Sequence, residues 1–226
     1  MKMRLTDRER ISGWIYWLFQ LLFLPSLLVL LNRALPVPLD LGWINGIYFT
    51  VNFLCMLLIF HRFLRQHLNY AAKNIWKCLR WTFFGFVVYQ LSTYLIGLLI
   101  LSLQPGFANP NDNSLAEMTQ NRYWLMSLTT IFMVPITEEC LYRGVIFGSL
   151  YPKSPVLAYS LSGCIFALVH VMGYIPQMEP LSFFLCLLQY IPAGLILAWI
   201  YRASGSICAP ILLHMTVNQM GIFSMR

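Results

Sequence analysis

Two adjacent carboxylates, Glu138 and Glu139, stand in a stretch that is otherwise apolar, IFMVPITEECLYRGVIFG, and Arg143 follows the second of them by four residues. On a helix Glu139 and Arg143 share a face within pairing distance, with the acid N-terminal to the base as favourable geometry requires. Glu138 is turned about 100° away and is left without that partner. Two carboxylates in unlike surroundings suit an acid/base role for one and a scaffolding role for the other. Two histidines occupy similar runs: His170 ends SLSGCIFALVH, four residues after Phe166, and His214 lies in PILLHMTVN, four residues before Asn218. A charged group at a bilayer centre costs roughly 2.5–3.5 kcal/mol or more, so groups of this kind are kept for proton chemistry, ion pairing or helix contacts. Taken singly, each has a plain alternative: a buried ion pair with a spare carboxylate or a proton relay for the acids, and interhelical hydrogen bonds for the histidines. Cys140, beside the glutamates, reads as packing, because an apolar neighbourhood disfavours the thiolate.

The elements that must position these residues are membrane helices. With 59% hydrophobic and 10% charged residues, the chain has too little polar surface to cover a water-soluble globule. Apolar runs of roughly 20 residues recur, the length a helix needs to cross a hydrocarbon core. Spans are expected at 13–32, 42–60, 81–103, 123–150, 155–172, 182–201 and 206–223. The fold class is therefore an all-α polytopic bundle of about seven transmembrane helices, or eight if 123–150 is broken near Pro135. Residues 65–80, with Arg65, Lys73, Lys77 and Arg80 among Leu68, Tyr70, Ile75, Trp76 and Leu79, read as an amphipathic interfacial helix. Residues 104–122, rich in Pro, Asn and Gly, read as an exposed turn region. Counting 1.5 Å per residue from the helix ends brings Glu138 to about 20 Å, His170 to about 22 Å, Asn218 to about 18 Å and His214 to about 12 Å depth. One polar cavity among the fourth, fifth and seventh spans is the expectation.

The formal charge of +7 comes from basic residues clustered beside apolar runs. These read as topology signals and lipid-headgroup contacts, which argues against nucleic acid as a partner. Lys2, Arg4, Arg8 and Arg10 precede the first span, and Arg62, Arg65, Lys73, Lys77 and Arg80 separate the second from the third. An excess of Lys and Arg marks the cytoplasmic side, so the N-terminus is expected inside, in a multi-pass plasma-membrane protein of bacterial type. The apolar stretch 13–31 is too long for the core of a cleaved signal peptide and reads as a retained span. Six cysteines scattered singly suggest neither a disulfide framework nor a structural zinc site.

In this order, E-E-x-x-x-R (Glu138, Glu139, Arg143), F-x-x-x-H (Phe166, His170) and H-x-x-x-N (His214, Asn218) resemble the motifs of the CPBP family. These are the type II CAAX prenyl protease, bacteriocin-processing and abortive-infection intramembrane endopeptidases. Gly194 to His214, with Gly205, Ser206 and Pro210, resembles the family's lead-in to its last motif. The likeness covers about residues 120–222, which divides the chain into N-terminal helices (1–119) and a catalytic membrane core (120–226). The resemblance implies a hydrolase in which Glu138 activates water together with His170. It implies that His214 and Asn218 stabilise the oxyanion while Glu139 and Arg143 support the site. These are the parts amide hydrolysis asks for, a base and donors where negative charge develops. The implied substrates are peptides or membrane proteins; the CAAX label itself is not carried over as a substrate. No cofactor is expected. Two histidines and a carboxylate also meet the ligand demand of a catalytic zinc, so a metal-dependent protease is the variant mechanism, although H-E-x-x-H is absent. The competing classes are a non-enzymatic bacteriocin self-immunity or scaffold protein and a proton-coupled transporter. Oligomeric state is left open.

Overall fold

Residues 4–225 are described by a computed structural model, and their regular structure is entirely helical. Helix α1 (Asp7–Leu22) starts at a capping box in which Thr6 and Glu9 satisfy each other's backbone N–H groups. It breaks at Phe23, and α2 (Leu24–Arg33) leaves at 44° because Pro25, in its first turn, cannot donate to the preceding turn. Helix α3 (Leu41–Ile59) is capped by the Asp40 carboxylate, which accepts from Trp43 N–H. Then come α4 (His61–Lys73), α5 (Ile75–Leu103) and α6 (Pro110–Asn121), the last opened by an Asn109 cap and Pro110. Residues 123–150 form one continuous helix, α7. It is followed by α8 (Pro155–Val171), a 3-10 turn (Met172–Gln177), α9 (Pro180–Ser204) and α10 (Cys208–Ser224).

Helix α7 is the axis of the bundle: every residue of its stretch Cys140–Phe147 is buried. Helices α1, α3, α8, α9 and α10 pack around it, and α5 closes the outer side of α9 and α10. The outer face is apolar, with Leu58, Trp76, Phe83 and Leu91 largely exposed. Such a surface is stable in lipid and not in water. This is a multi-pass membrane protein.

Several boundaries differ from the sequence expectation. Helices α3, α5, α8 with its following turn, and α9 are long and apolar enough to cross a membrane, and the bent pair α1 and α2 adds a fifth candidate. The count of seven to eight is not confirmed, because α7 alternates α-helical and π-helical winding and carries Glu138, Glu139 and Arg143, and α10 has 17 residues. The break near Pro135 that would have made an eighth span is absent. A π-helical stretch, Thr129–Met133, precedes Pro135, and the wider turn absorbs the missing donor and the ring clash. The interfacial helix expected at 65–80 is α4, and the chain turns at Asn74 so that residues 75–80 begin α5. The 104–122 segment is only partly a turn region, since α6 fills most of it. Arg122, after α6, pairs with Asp40 at 2.6 Å and ties that segment to α3.

Two glycines set how closely helices approach the site. A Cβ on Gly194 of α9 would lie 2.9 Å from the Gly163 Cα of α8, so only hydrogen allows these backbones to meet. Gly205 adopts a left-handed φ of 79°, terminates α9 and turns the chain into α10.

Candidate active site

The acidic pair sits where α7 passes from α-helical to π-helical winding, with Glu139 ending one segment and Cys140 opening the next. Such single-turn expansions re-aim successive side chains, and the two glutamates face different surroundings. Glu139 is fully buried. Its Oε1 accepts from Arg143 Nη1 at 3.1 Å and stands 3.0 Å from His214 Nδ1. Arg143, equally buried, donates a second hydrogen bond to the Gly194 carbonyl at 2.9 Å and lies 4.8 Å from the Phe166 ring centroid. One carboxylate and one guanidinium thus tie α7 to α8, α9 and α10. The i,i+4 pairing expected from spacing is present.

Glu138 points the other way. Its side chain is 20% exposed, and its Oε2 lies 3.9 Å from His214 Nε2. Because His214 Nδ1 faces Glu139, its Nε2 edge is left toward Glu138. His170 is oriented by its own helix: Nδ1 lies 2.7 Å from the Phe166 carbonyl. A carbonyl can only accept, so Nδ1 carries the proton and Nε2 presents a lone pair. The His170 ring stacks on Tyr190 at 4.5 Å with 26° between planes. Asn218 donates from Nδ2 to the Thr130 carbonyl at 2.8 Å, which leaves its second N–H.

Glu138, His170, His214 and Asn218 line one cavity of about 1140 Å³, whereas Glu139 and Arg143 lie outside its lining. All six residues singled out from the sequence therefore gather at one place, four on the wall and two behind it. A smaller recess of about 70 Å³ shares His170, His214 and Asn218 and is otherwise mostly apolar, including Leu197, Leu213 and Val217. Among the described residues no three His, Cys, Asp or Glu side chains stand together as a metal-ligand group.

Sequence reasoning missed part of the cavity wall. Gln20 of α1 with Asn45, Tyr48 and Asn52 of α3 line the cavity, and Tyr48 O–H donates to Gln20 Oε1 at 2.5 Å. Asn52 accepts from Tyr16 O–H at 2.9 Å. Amides in apolar runs carry the same signal as charges there, at lower intensity, so these residues were findable. Tyr190, Thr130 and the Gly194 carbonyl had no such signal, because their roles depend on which helices meet.

Residues 120–220 match the family model described as type II CAAX prenyl endopeptidase, Rce1-like. Among curated proteins, the UPF0177 protein YxdF of Lactococcus lactis is 29% identical over 139 residues, covering 61% of this chain and 72% of its own. A candidate membrane peptidase of Bacillus subtilis, YdiL, is 25% identical over 217 residues, covering 92% of this chain and 84% of its own. No solved structure is significantly similar to the chain.

Proposed function

Because residues 120–220 match the Rce1-like family model and carry the motifs that resemble the CPBP family, we propose that this protein is an intramembrane endopeptidase that hydrolyses peptide bonds with a water activated by Glu138 and His170. The observation that carries this reading is the division of labour in the site. Glu138, His170, His214 and Asn218 share one cavity wall, and the buried Glu139 to Arg143 pair holds His214 from behind. In the reaction a water between Glu138 and His170 Nε2 gives its proton to the carboxylate as its oxygen attacks the carbonyl carbon. The negative charge that develops on the carbonyl oxygen is met by the Nε2 edge of His214 and by the free N–H of Asn218. Collapse of the tetrahedral intermediate breaks the C–N bond, and the proton held by Glu138 passes to the leaving amine. Donors fixed in advance in a water-poor site stabilise such charge far more than they would in bulk water. The name of the Bacillus subtilis relative, a membrane peptidase, supports the same reading. We further propose that the N-terminus faces the cytoplasm of a bacterial cell, on the distribution of Lys and Arg around α1, α4 and the start of α5.

The test is mass-spectrometric detection of cleavage products from a diverse peptide pool, with purified protein and its Glu138→Gln variant, each with and without a strong chelator. Products that vanish in the variant, falling at least about 100-fold, and survive the chelator support water activation by the glutamate alone. Loss with chelator assigns the water to a metal ion. Identical product patterns from both proteins move the function to binding, as in the self-immunity or scaffold class.

A further inference from the structure

A histidine presents a lone pair in a fixed direction only when both its tautomer and the plane of its ring are set. The tautomer of His170 is set by its own helix, through the Nδ1 contact to the Phe166 carbonyl at 2.7 Å. One hydrogen bond fixes a direction and not a plane. The plane is held by rings. Phe166 stands 4.6 Å away at 43°, and Tyr190 of α9 stacks on His170 at 4.5 Å with 26° between planes. Tyr190 is in turn pinned at its far end. Its hydroxyl donates to Asp112 Oδ1 at 3.0 Å and accepts from Asn111 Nδ2 at 3.0 Å and Asn109 Nδ2 at 3.2 Å. A phenol has one proton to give and two lone pairs to receive with, so this hydroxyl is saturated and keeps no proton for a substrate. The neighbouring Gln189 is held by the same segment, since its Oε1 accepts from Asn109 Nδ2 at 2.6 Å. Asn109 is buried, and its Oδ1 accepts from Asn111 N–H at 2.9 Å. Residues 109–112 lie outside the helices long enough to cross a membrane, yet they end on a ring that faces His170.

We infer that Tyr190 is a positioning residue: it clamps the plane of the His170 imidazole so that Nε2 stays aimed into the cavity, and residues 109–112 act on the site through its hydroxyl. The inference rests on the protease reading for what His170 does, whereas the clamp is a property of the ring that can be read without substrate. Its saturated hydroxyl separates this role from proton donation. A group that acts through the base and not on the substrate affects the chemical step more than binding. A displacement of about 1 Å at a reacting group can cost on the order of 100-fold.

The experiment uses the full chain in detergent micelles, isotope-labelled at its four histidines, with Tyr190→Leu and Tyr190→Phe beside the wild type. Nuclear magnetic resonance reads the ring signals, those of His170 being identified by their loss in His170→Gln. In the wild type the carbon-bound ring protons of His170 should lie upfield of those of the exposed His61, because a stacked aromatic ring shields them. Absence of that shift overturns the proposal before any variant is compared. Tyr190→Leu should remove the shift and broaden or double the His170 signals. On a peptide cleaved by the wild type, it should lower kcat about 10- to 100-fold while KM stays within about threefold. Tyr190→Phe keeps the ring, so it should retain the shift and stay within about tenfold of the wild-type kcat. Asn111→Ala should slow the wild type but add nothing beside Tyr190→Phe, since it acts through the missing hydroxyl. His170 signals indifferent to Tyr190→Leu, a loss confined to KM, or equal losses in the leucine and phenylalanine variants would each overturn the clamp. Helix content by circular dichroism verifies the fold of each variant. Wild-type protein that yields no product while His170 responds to Tyr190 as stated would sink the protease reading and leave the clamp standing. Cleavage with His170 indifferent to Tyr190 would do the reverse.

Discussion

Glu139 is the residue on which the site's rigidity turns, because a single oxygen, Oε1, faces both Arg143 and His214. A buried ion pair adds little net stability against an apolar replacement, but removal of one partner strands a charge. Arg143→Met should therefore lower the thermal unfolding midpoint in micelles strongly, by the equivalent of about 3–5 kcal/mol. Adding Glu139→Gln should recover part of that loss, since the stranded carboxylate is then neutral. Additive losses in the double variant would contradict the coupling. Glu138 behaves differently: it makes no ion pair with Arg143 and faces the cavity, so Glu138→Gln is expected to stop cleavage while the unfolding midpoint moves little.

At the scale of elements, the approach of α8 to α9 decides whether Arg143 reaches its second acceptor. The Gly194 carbonyl takes that hydrogen bond, and the same residue has no room for a Cβ against Gly163. Gly194→Ala should push the helices apart by a few tenths of an ångström. The expected cost is about 1–3 kcal/mol in stability, with a marked fall in the proposed peptide cleavage. Gly97 of α5 is the control, because nothing lies within 4 Å of a Cβ built there; Gly97→Ala should be neutral or stabilising by up to about 1 kcal/mol. Equal behaviour of the two variants in thermal scans would remove the packing argument. Helix α7 shows the same dependence on neighbours, since its wide turns keep Pro135 within a continuous helix and split the directions of Glu138 and Glu139.

For the molecule as a whole, the amphipathic α4 joins the bundle through a buried histidine. His67 Nδ1 accepts from Ile207 N–H at 3.1 Å, and its Nε2 is buried without a partner. Burial pushes its pKa down to about 4, against an ordinary value near 6.5. The neutral ring is the one the fold binds, and protonating Nδ1 also breaks the bond to Ile207. Its stabilising contribution is complete above about pH 6.5 and is lost as pH falls from there toward 4, by up to about 3 kcal/mol. Thermal scans between pH 7.5 and 4.5 should show the midpoint of the wild type falling, and His67→Phe should flatten that slope. A parallel slope in the variant would assign the effect to other groups.

How much of this was legible in the residues alone follows from the physics of each signal. Burying charge in an apolar run is expensive wherever it occurs, so Glu138, Glu139, Arg143, His170, His214 and Asn218 could be picked out from type and spacing. The apolar runs likewise imply a helical membrane bundle, because lipid cannot satisfy exposed backbone groups. The number of crossings was less legible, since hydropathy does not distinguish a helix that meets lipid from one such as α7 that is sheathed by other helices. Only the tertiary structure decided that Glu138 faces a cavity while Glu139 is sealed behind it, because a helical turn's exact winding depends on packing. It alone brought Tyr190 against His170, Asp112 onto Tyr190 and the amides of α1 and α3 onto the wall of the cavity that Glu138 lines. His170 and Tyr190 are 20 positions apart and Asp112 and Tyr190 are 78 apart, and pairings at such range are set by which helices meet, not by any local spacing.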